Sequence, residues 1–196
     1  MIHIGLTGSI GMGKSTVAQM FRDESIPVSD ADQVVHQLYT QSKPLKLALT
    51  EAFGDVLTNE VVDRAKLSSR LQADTKGFSL LDAIVHPYVA AERDRFVKTN
   101  REAGTRLIVS DIPLLFETGA EAQFDKVVVV SAPPEVQAQR VLARPGMTSE
   151  KFAQILSRQT PDTEKRQRAD FVINTGQDIE ATRAEVRALI NRLIGE

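Results

Sequence analysis

The stretch Gly8-Ser9-Ile10-Gly11-Met12-Gly13-Lys14-Ser15 constrains this chain more than any other. It fits the pattern G-x-x-x-x-G-K-[ST] in full. An apolar run, Ile2–Leu6, precedes it, and a helical pattern follows in which Val17, Met20 and Phe21 share one face. A strand that feeds a glycine-rich turn opening a helix is the setting of a phosphate-binding loop. Glycines let the backbone turn tightly and aim its N–H groups at phosphate oxygens. Lys14 carries a mobile positive charge to the β and γ phosphates, and the Ser15 hydroxyl suits magnesium. The helix adds its positive dipole end beneath the anion. Gly8, Gly11, Met12, Gly13, Lys14, Ser15 and Thr16 are therefore expected to hold the phosphates of ATP, with Ser15 as the metal ligand.

Four further apolar runs follow: Ile26–Val28, Leu107–Val109, Val127–Val130 and Phe171–Ile173. The last three are continuous rather than alternating, as in strands covered on both faces of a parallel sheet. Helical patterns separate the runs. Pro134 suits the first turn of a helix reaching Leu142 or Ala143. Ile179, Val186, Leu189, Ile190 and Leu193 mark a final helix ended by Gly195. This alternation predicts an α/β fold with a mainly parallel, five-stranded sheet. Two stretches interrupt it. Residues 34–104 show no convincing strand and read as a mostly helical insertion, with a long pattern from Leu80 to about Asn100 in which Pro87 should start or kink a helix. The second interruption spans 140–168, where seven basic residues stand against three acidic ones in a chain of net charge −2. Placed arginines stabilise charge on a transferring phosphoryl group, and a closing lid excludes water. A solvated helical surface is the plainer reading of the same charges.

Composition removes several classes. The overall charge argues against a dedicated nucleic-acid binder. The absence of cysteine excludes disulfides, thiolate zinc sites and cysteine nucleophiles. The N-terminus lacks a signal-peptide pattern, and no apolar run approaches the roughly 18 residues of a membrane span. A cytoplasmic protein acting on a small molecule is expected, its oligomeric state left open.

Ligands of open α/β sheets bind beyond the carboxyl ends of the strands. Two strand-like runs end there in acids: Ile26–Val28 leads to Asp30-Ala31-Asp32, and Leu107–Val109 leads through Ser110 to Asp111. One carboxylate is needed to orient or accept the proton of an attacking hydroxyl, and one to hold magnesium through its water shell. Capping the next helix is the alternative for each, and Asp30 fits it as well as it fits a functional role.

Together these features resemble the dephospho-coenzyme A kinase family nearly end to end. Gly5 through Thr16 looks like its opening, and Asp30-Ala31-Asp32 like its second-strand signature. Phe53-Gly54, Asp63-Arg64, Leu67 and His86-Pro87 look like its substrate-domain marks. Asp111-Ile112-Pro113-Leu114-Leu115-Phe116-Glu117 is the most specific piece. Gln137, Arg140, Gln159 and Ala169-Asp170 through Asn174 and Gly176 continue the likeness. The resemblance implies a P-loop NTPase-type three-layer fold and phosphoryl transfer from ATP to the ribose 3′-hydroxyl of dephospho-coenzyme A. It implies a nucleotide-binding core (1–33 and 105–196), a lid (about 140–168) and a helical substrate domain (34–104). By position, Asp32, Lys14 and Arg140 would be catalytic, with Asp32 the base and Arg140 a lid arginine on the phosphates. Asn174 would join the nucleotide site, and Thr7, Asp32, Arg64, His86, Asp111 and Leu115 would lie along the substrate. A histidine before proline also fits a helix end. Ser9 and Met12 replace a glycine and a serine of the family loop, and Asn59-Glu60-Val61-Val62 lacks the glycine usual before the Asp-Arg pair. Two rivals remain: another small-molecule kinase on the same fold, and a nucleotide-dependent switch, although no Asn-Lys-x-Asp motif is present.

Overall fold

The computed structural model describes residues 1–73 and 77–195. In chain order the elements are β1 (Ile2–Thr7), α1 (Lys14–Asp23), β2 (Val28–Asp30), α2 (Ala31–Gln41), α3 (Lys43–Phe53), β3 (Leu57–Thr58) and β4 (Val61–Val62). Then come α4 (Arg64–Ala73), α5 (Gly77–Glu102), β5 (Leu107–Asp111), a short 3-10 turn (Ala120–Gln123) and β6 (Lys126–Ser131). The chain closes with α6 (Pro134–Leu142), α7 (Ser149–Leu156), α8 (Asp162–Arg168), β7 (Phe171–Asn174) and α9 (Ile179–Gly195). Two compact units result: Met1–Ser29 with Asn100–Glu196, and Asp30–Thr99. No helix among the described residues is long and apolar enough to cross a membrane.

The main sheet is the five-stranded parallel one expected, in the order β2-β5-β1-β6-β7. Its alternation explains the continuous apolar runs. Val128 and Val130 of β6 join Ile4, Leu6 and Val109 in a cluster with Val17, Met20 and Phe21 of α1 and with Val186, Leu189, Ile190 and Leu193 of α9. Val127 and Val129, on the opposite face, pack with Leu115 and Phe116. Both faces of the strand are thus dry, and each fully buried Val, Leu or Phe contributes about 1.5–3 kcal/mol.

β2 lies two residues later than the run Ile26–Val28 predicts. Ser25 takes φ 60°, and the Ile26 amide donates to the Phe21 carbonyl at 3.0 Å, so this segment closes α1 before a strand can start. Proline at 27 has no N–H to give a ladder.

The second unit has its own core, in which Leu38, Tyr39, Leu45, Leu49, Val56, Val62, Leu67 and Leu71 are buried. It contains an antiparallel hairpin that the sequence reading missed, Leu57 pairing with Val62 and Thr58 with Val61. Two-residue strands leave no periodic signal. The turn residues Asn59 (φ 50°) and Glu60 (φ 62°) are both left-handed, although Glu60 is not a residue that favours this region. Lys46 Nζ donates to the Glu60 carbonyl at 2.7 Å and holds the turn in place.

Pro87 does not start a helix; it lies inside α5. Its missing N–H leaves the Ala83 carbonyl short of a partner on the exposed face, where water can serve it. Leu81, Ile84 and Val85 before it, and Tyr88 and Val89 after it, pack against the same core and carry the helix through. Residues 74–76, part of the stretch read as mostly helical, lie outside the described residues.

Candidate functional site

β1 delivers the chain into the phosphate loop at Thr7, a buried residue whose hydroxyl donates to the Pro113 carbonyl at 3.3 Å. Beyond it the loop is tied down from several directions. The Ile10 amide donates to Gln159 Oε1 at 3.1 Å, and Gln137 Nε2 donates to the Ile10 carbonyl at 2.7 Å. The Met12 carbonyl accepts from Thr175 Oγ1 at 2.7 Å, and the Met12 sulfur accepts from the Ala132 amide at 3.1 Å. The Met12 side chain therefore faces the protein and is almost fully buried.

Gly11 and Gly13 have φ of 77° and 83°. A Cβ on Gly11 would sit 2.4 Å from Val141 Cγ2, so both the turn and the packing exclude a side chain there. Gly13 is the N-cap of α1 and offers no capping side chain. The amides of Gly11, Gly13, Lys14 and Ser15 consequently find no acceptor among the described residues. Free N–H groups at a helix N-terminus form an anion cradle. Lys14 Nζ pairs with the carboxylate of Asp111, the buried last residue of β5. Ser15 and Thr16 begin the helix with exposed side chains.

Arg140, exposed on α6, donates from Nη1 to Thr175 Oγ1 at 3.2 Å and from Nη2 to the Thr175 carbonyl at 2.7 Å. Asn174 closes a local turn, its Oδ1 accepting from the Gly176 amide at 2.9 Å. Both therefore flank Thr175, a residue that no motif in the sequence singles out. It joins the end of β7 to the phosphate loop. Leu115 is fully buried among Phe116, Val127 and Val129, so its side chain is a packing group.

Glu117 ends the Asp111–Glu117 segment. Its Oε1 accepts from the Thr160 amide at 2.8 Å and lies 2.8 Å from Nζ of Lys165, which is fully buried on α8. The two charges are close, but the ammonium is poorly aligned for a hydrogen bond. Burial pushes the Glu117 carboxyl up, but Lys165 and the amide donors outweigh this and hold it below its ordinary value.

The second unit carries an open cleft of about 720 Å³, lined by Asp30, Asp32, Tyr39, Arg64, Leu67 and Leu71 among others. Asp30 is the N-cap of α2, its carboxylate accepting from the Gln33 amide at 3.0 Å, so the capping alternative is realised. Asp32 stands exposed in the first turn of the same helix and has no hydrogen-bond or ionic partner among the described residues. Arg64, at the start of α4, stacks over the Tyr39 ring at 5.8 Å, and burial raises the Tyr39 hydroxyl above its ordinary value. His86 is exposed on α5 and is not among the cleft-lining residues.

Lys14 and Asp111 are thus brought together in one unit, and Asp32 and Arg64 share a cleft in the other. Free amides with an ammonium bind a polyphosphate; a carboxylate without a partner can take a proton from a hydroxyl.

A phosphate loop between β1 and α1 of a parallel sheet defines a P-loop kinase-type fold. A shikimate kinase from Bacteroides thetaiotaomicron shares it, with a TM-score of 0.51 over 100% of this chain and 99% of that one at 14% identity. A dephospho-CoA kinase from Campylobacter jejuni matches with a TM-score of 0.75 over 98% of this chain and 97% of that one, at 24% identity. The sequence model of dephospho-CoA kinase covers residues 2–180. The dephospho-CoA kinase of Mesorhizobium japonicum is 55% identical across 100% of this chain and 98% of its own length. The chain belongs to the dephospho-CoA kinase family.

Proposed function

We propose that the protein transfers the γ-phosphoryl group of ATP to the ribose 3′-hydroxyl of dephospho-coenzyme A, giving coenzyme A and ADP in the cytoplasm. The observation that carries this reading is the phosphate loop with its four free amides, in a chain of this family. In it, Gly8–Thr16 hold the triphosphate, and Lys14 and Arg140 draw charge off the transferring group. Asn174 adjoins the nucleotide through the turn it closes. Asp32 takes the proton of the attacking hydroxyl as the new P–O bond forms and the bond to the ADP oxygen breaks. Residues 34–104 receive the acceptor, with Arg64 beside its phosphates; Thr7, His86, Asp111 and the Leu115 backbone complete the acceptor's surroundings. Residues 140–168 act as the lid, its last part from Gln159 onward tied to the phosphate loop, Glu117 and the end of β6.

Magnesium needs few protein ligands when phosphate oxygens and water supply the rest. The exposed Ser15 hydroxyl and the Asp111 carboxylate are hard oxygen donors that fit it. When bound, the ion would neutralise charge on the phosphates. The residues named above bind, orient and move the proton.

A coupled ADP-release assay tests the reading. ADP should form only with both ATP and dephospho-coenzyme A present. Turnover with a nucleoside monophosphate and none with dephospho-coenzyme A would assign the chain to another acceptor. Equal binding of GTP and ATP, with no acceptor-dependent turnover, would favour a switch instead.

A further inference from the structure

We infer that the buried Glu117–Lys165 pair is a positioning device for the phosphate loop, acting through Gln159. This rests on the reading that the loop binds ATP. Lys165 is 0% exposed, and among the described residues its counter-charge is Glu117 at 2.8 Å. Burying an ion pair is poor value for stability alone, because desolvation offsets most of the attraction and apolar side chains of similar volume do as well or better. Here the pair also leaves Glu117 Oε2 buried without a donor among the described residues. What the arrangement supplies is a fixed point. The oxygen that faces Lys165 also accepts from the Thr160 amide, one residue beyond Gln159. The start of α8 is pinned a second time, as Ser131 Oγ at the end of β6 donates to Asp162 Oδ2 at 2.7 Å.

Gln159 passes this geometry to the loop. Its Oε1 accepts the Ile10 amide, while Gln137 Nε2 holds the Ile10 carbonyl. Peptide units are planar, so fixing the Ile10 carbonyl fixes the direction of the Gly11 N–H in the same plane. Fixing the Ile10 N–H likewise sets the preceding plane. Two glutamines thus orient the peptide planes that lead into the free amides. Of these two, Gln159 lies on the short connection between α7 and α8, which Glu117 anchors through Thr160.

The test measures ATP affinity by calorimetry, melting temperature, and the split between KM for ATP and kcat. In Gln159→Ala, the ATP Kd and KM should rise about threefold to tenfold, the worth of one hydrogen bond, with kcat and melting temperature near wild type. The paired substitution Glu117→Leu with Lys165→Met should melt at or above wild type yet show the same rise, because the anchor on Thr160 is gone. Adding Gln159→Ala to that pair should weaken binding no further. If the paired variant does not fold, Glu117→Asp keeps the charge but withdraws the oxygen from Thr160, and the rise must appear there. Wild-type ATP affinity in Gln159→Ala, in the paired variant or in Glu117→Asp overturns the inference, as do effects that multiply. Failure of the wild-type protein to bind ATP would instead sink the functional reading.

Discussion

Residues 8–15 are tied down from several directions, whereas Asp32 and Arg64 in the second unit's cleft stand exposed on the first turns of their helices. In the loop, four side chains and two left-handed glycines set the backbone, leaving amides aimed and unpaired before any ligand arrives. In the cleft, Asp32 and Arg64 are exposed, and the Arg64 guanidinium lies over the ring face of Tyr39. A site built from main chain is preorganised and its cost is met on folding. One built from exposed side chains is ordered by its ligand, and that ordering is charged to binding. The first should tolerate few changes; the second should separate binding from chemistry.

The strongest way to break the contrast is Lys14→Ala. Loss of the loop's ammonium should lower acceptor-dependent ADP release by about a hundredfold or more, and substantial retained turnover would contradict the loop assignment. Asp32→Asn, in the cleft, should lower kcat by at least about tenfold while leaving ATP affinity by calorimetry close to wild type. A near-normal kcat there would move the base to Asp111 or Asp30. Gly11→Ala adds a Cβ 2.4 Å from Val141 Cγ2 at φ 77°. It should cost about 1–3 kcal/mol in denaturant unfolding and weaken ATP binding with it; unchanged stability would show the loop is less fixed than described.

Two smaller effects sharpen the picture. The Glu117 carboxyl is held below its ordinary 4.5 in the folded state, so its contribution is full above that value and is lost as pH falls through the lower, folded one. The stability gap between wild type and Glu117→Gln should therefore be level at neutral pH and narrow as pH drops below 4.5; a gap independent of pH would deny the pairing. In the second unit, Glu60→Gly should relieve a left-handed residue and stabilise the protein by about 0.5–1 kcal/mol net of the glycine's greater unfolded-state freedom, read as a rise in melting temperature.

The sequence spoke clearly where the physics is local. Runs such as Val127–Val130 announce a strand covered on both faces, and the packing of alternate valines on opposite sides of the sheet is the reason. The loop pattern is contiguous, so its glycines and Lys14 can be read in eight residues. The hairpin at 57–62 escaped because its strands are two residues long and its turn uses Glu60 where glycine would have signalled it. Pro87 does not open a helix because the packing on both sides of it outweighs its low helix propensity. The bonds from Gln159 to Ile10 and from Thr175 to Met12 span 149 and 163 residues, and no spacing rule along the chain predicts contacts of that range. Asp30 could be read two ways from the sequence, and only its bond to the Gln33 amide shows that it caps α2.

The most direct measurement is the mass of the product after incubating the protein with ATP, magnesium and dephospho-coenzyme A. Dephospho-coenzyme A should gain one phosphoryl group, located on the ribose 3′-oxygen by phosphorus NMR, with one ADP formed for each. An acceptor of unchanged mass, in a preparation that binds ATP, would contradict the account.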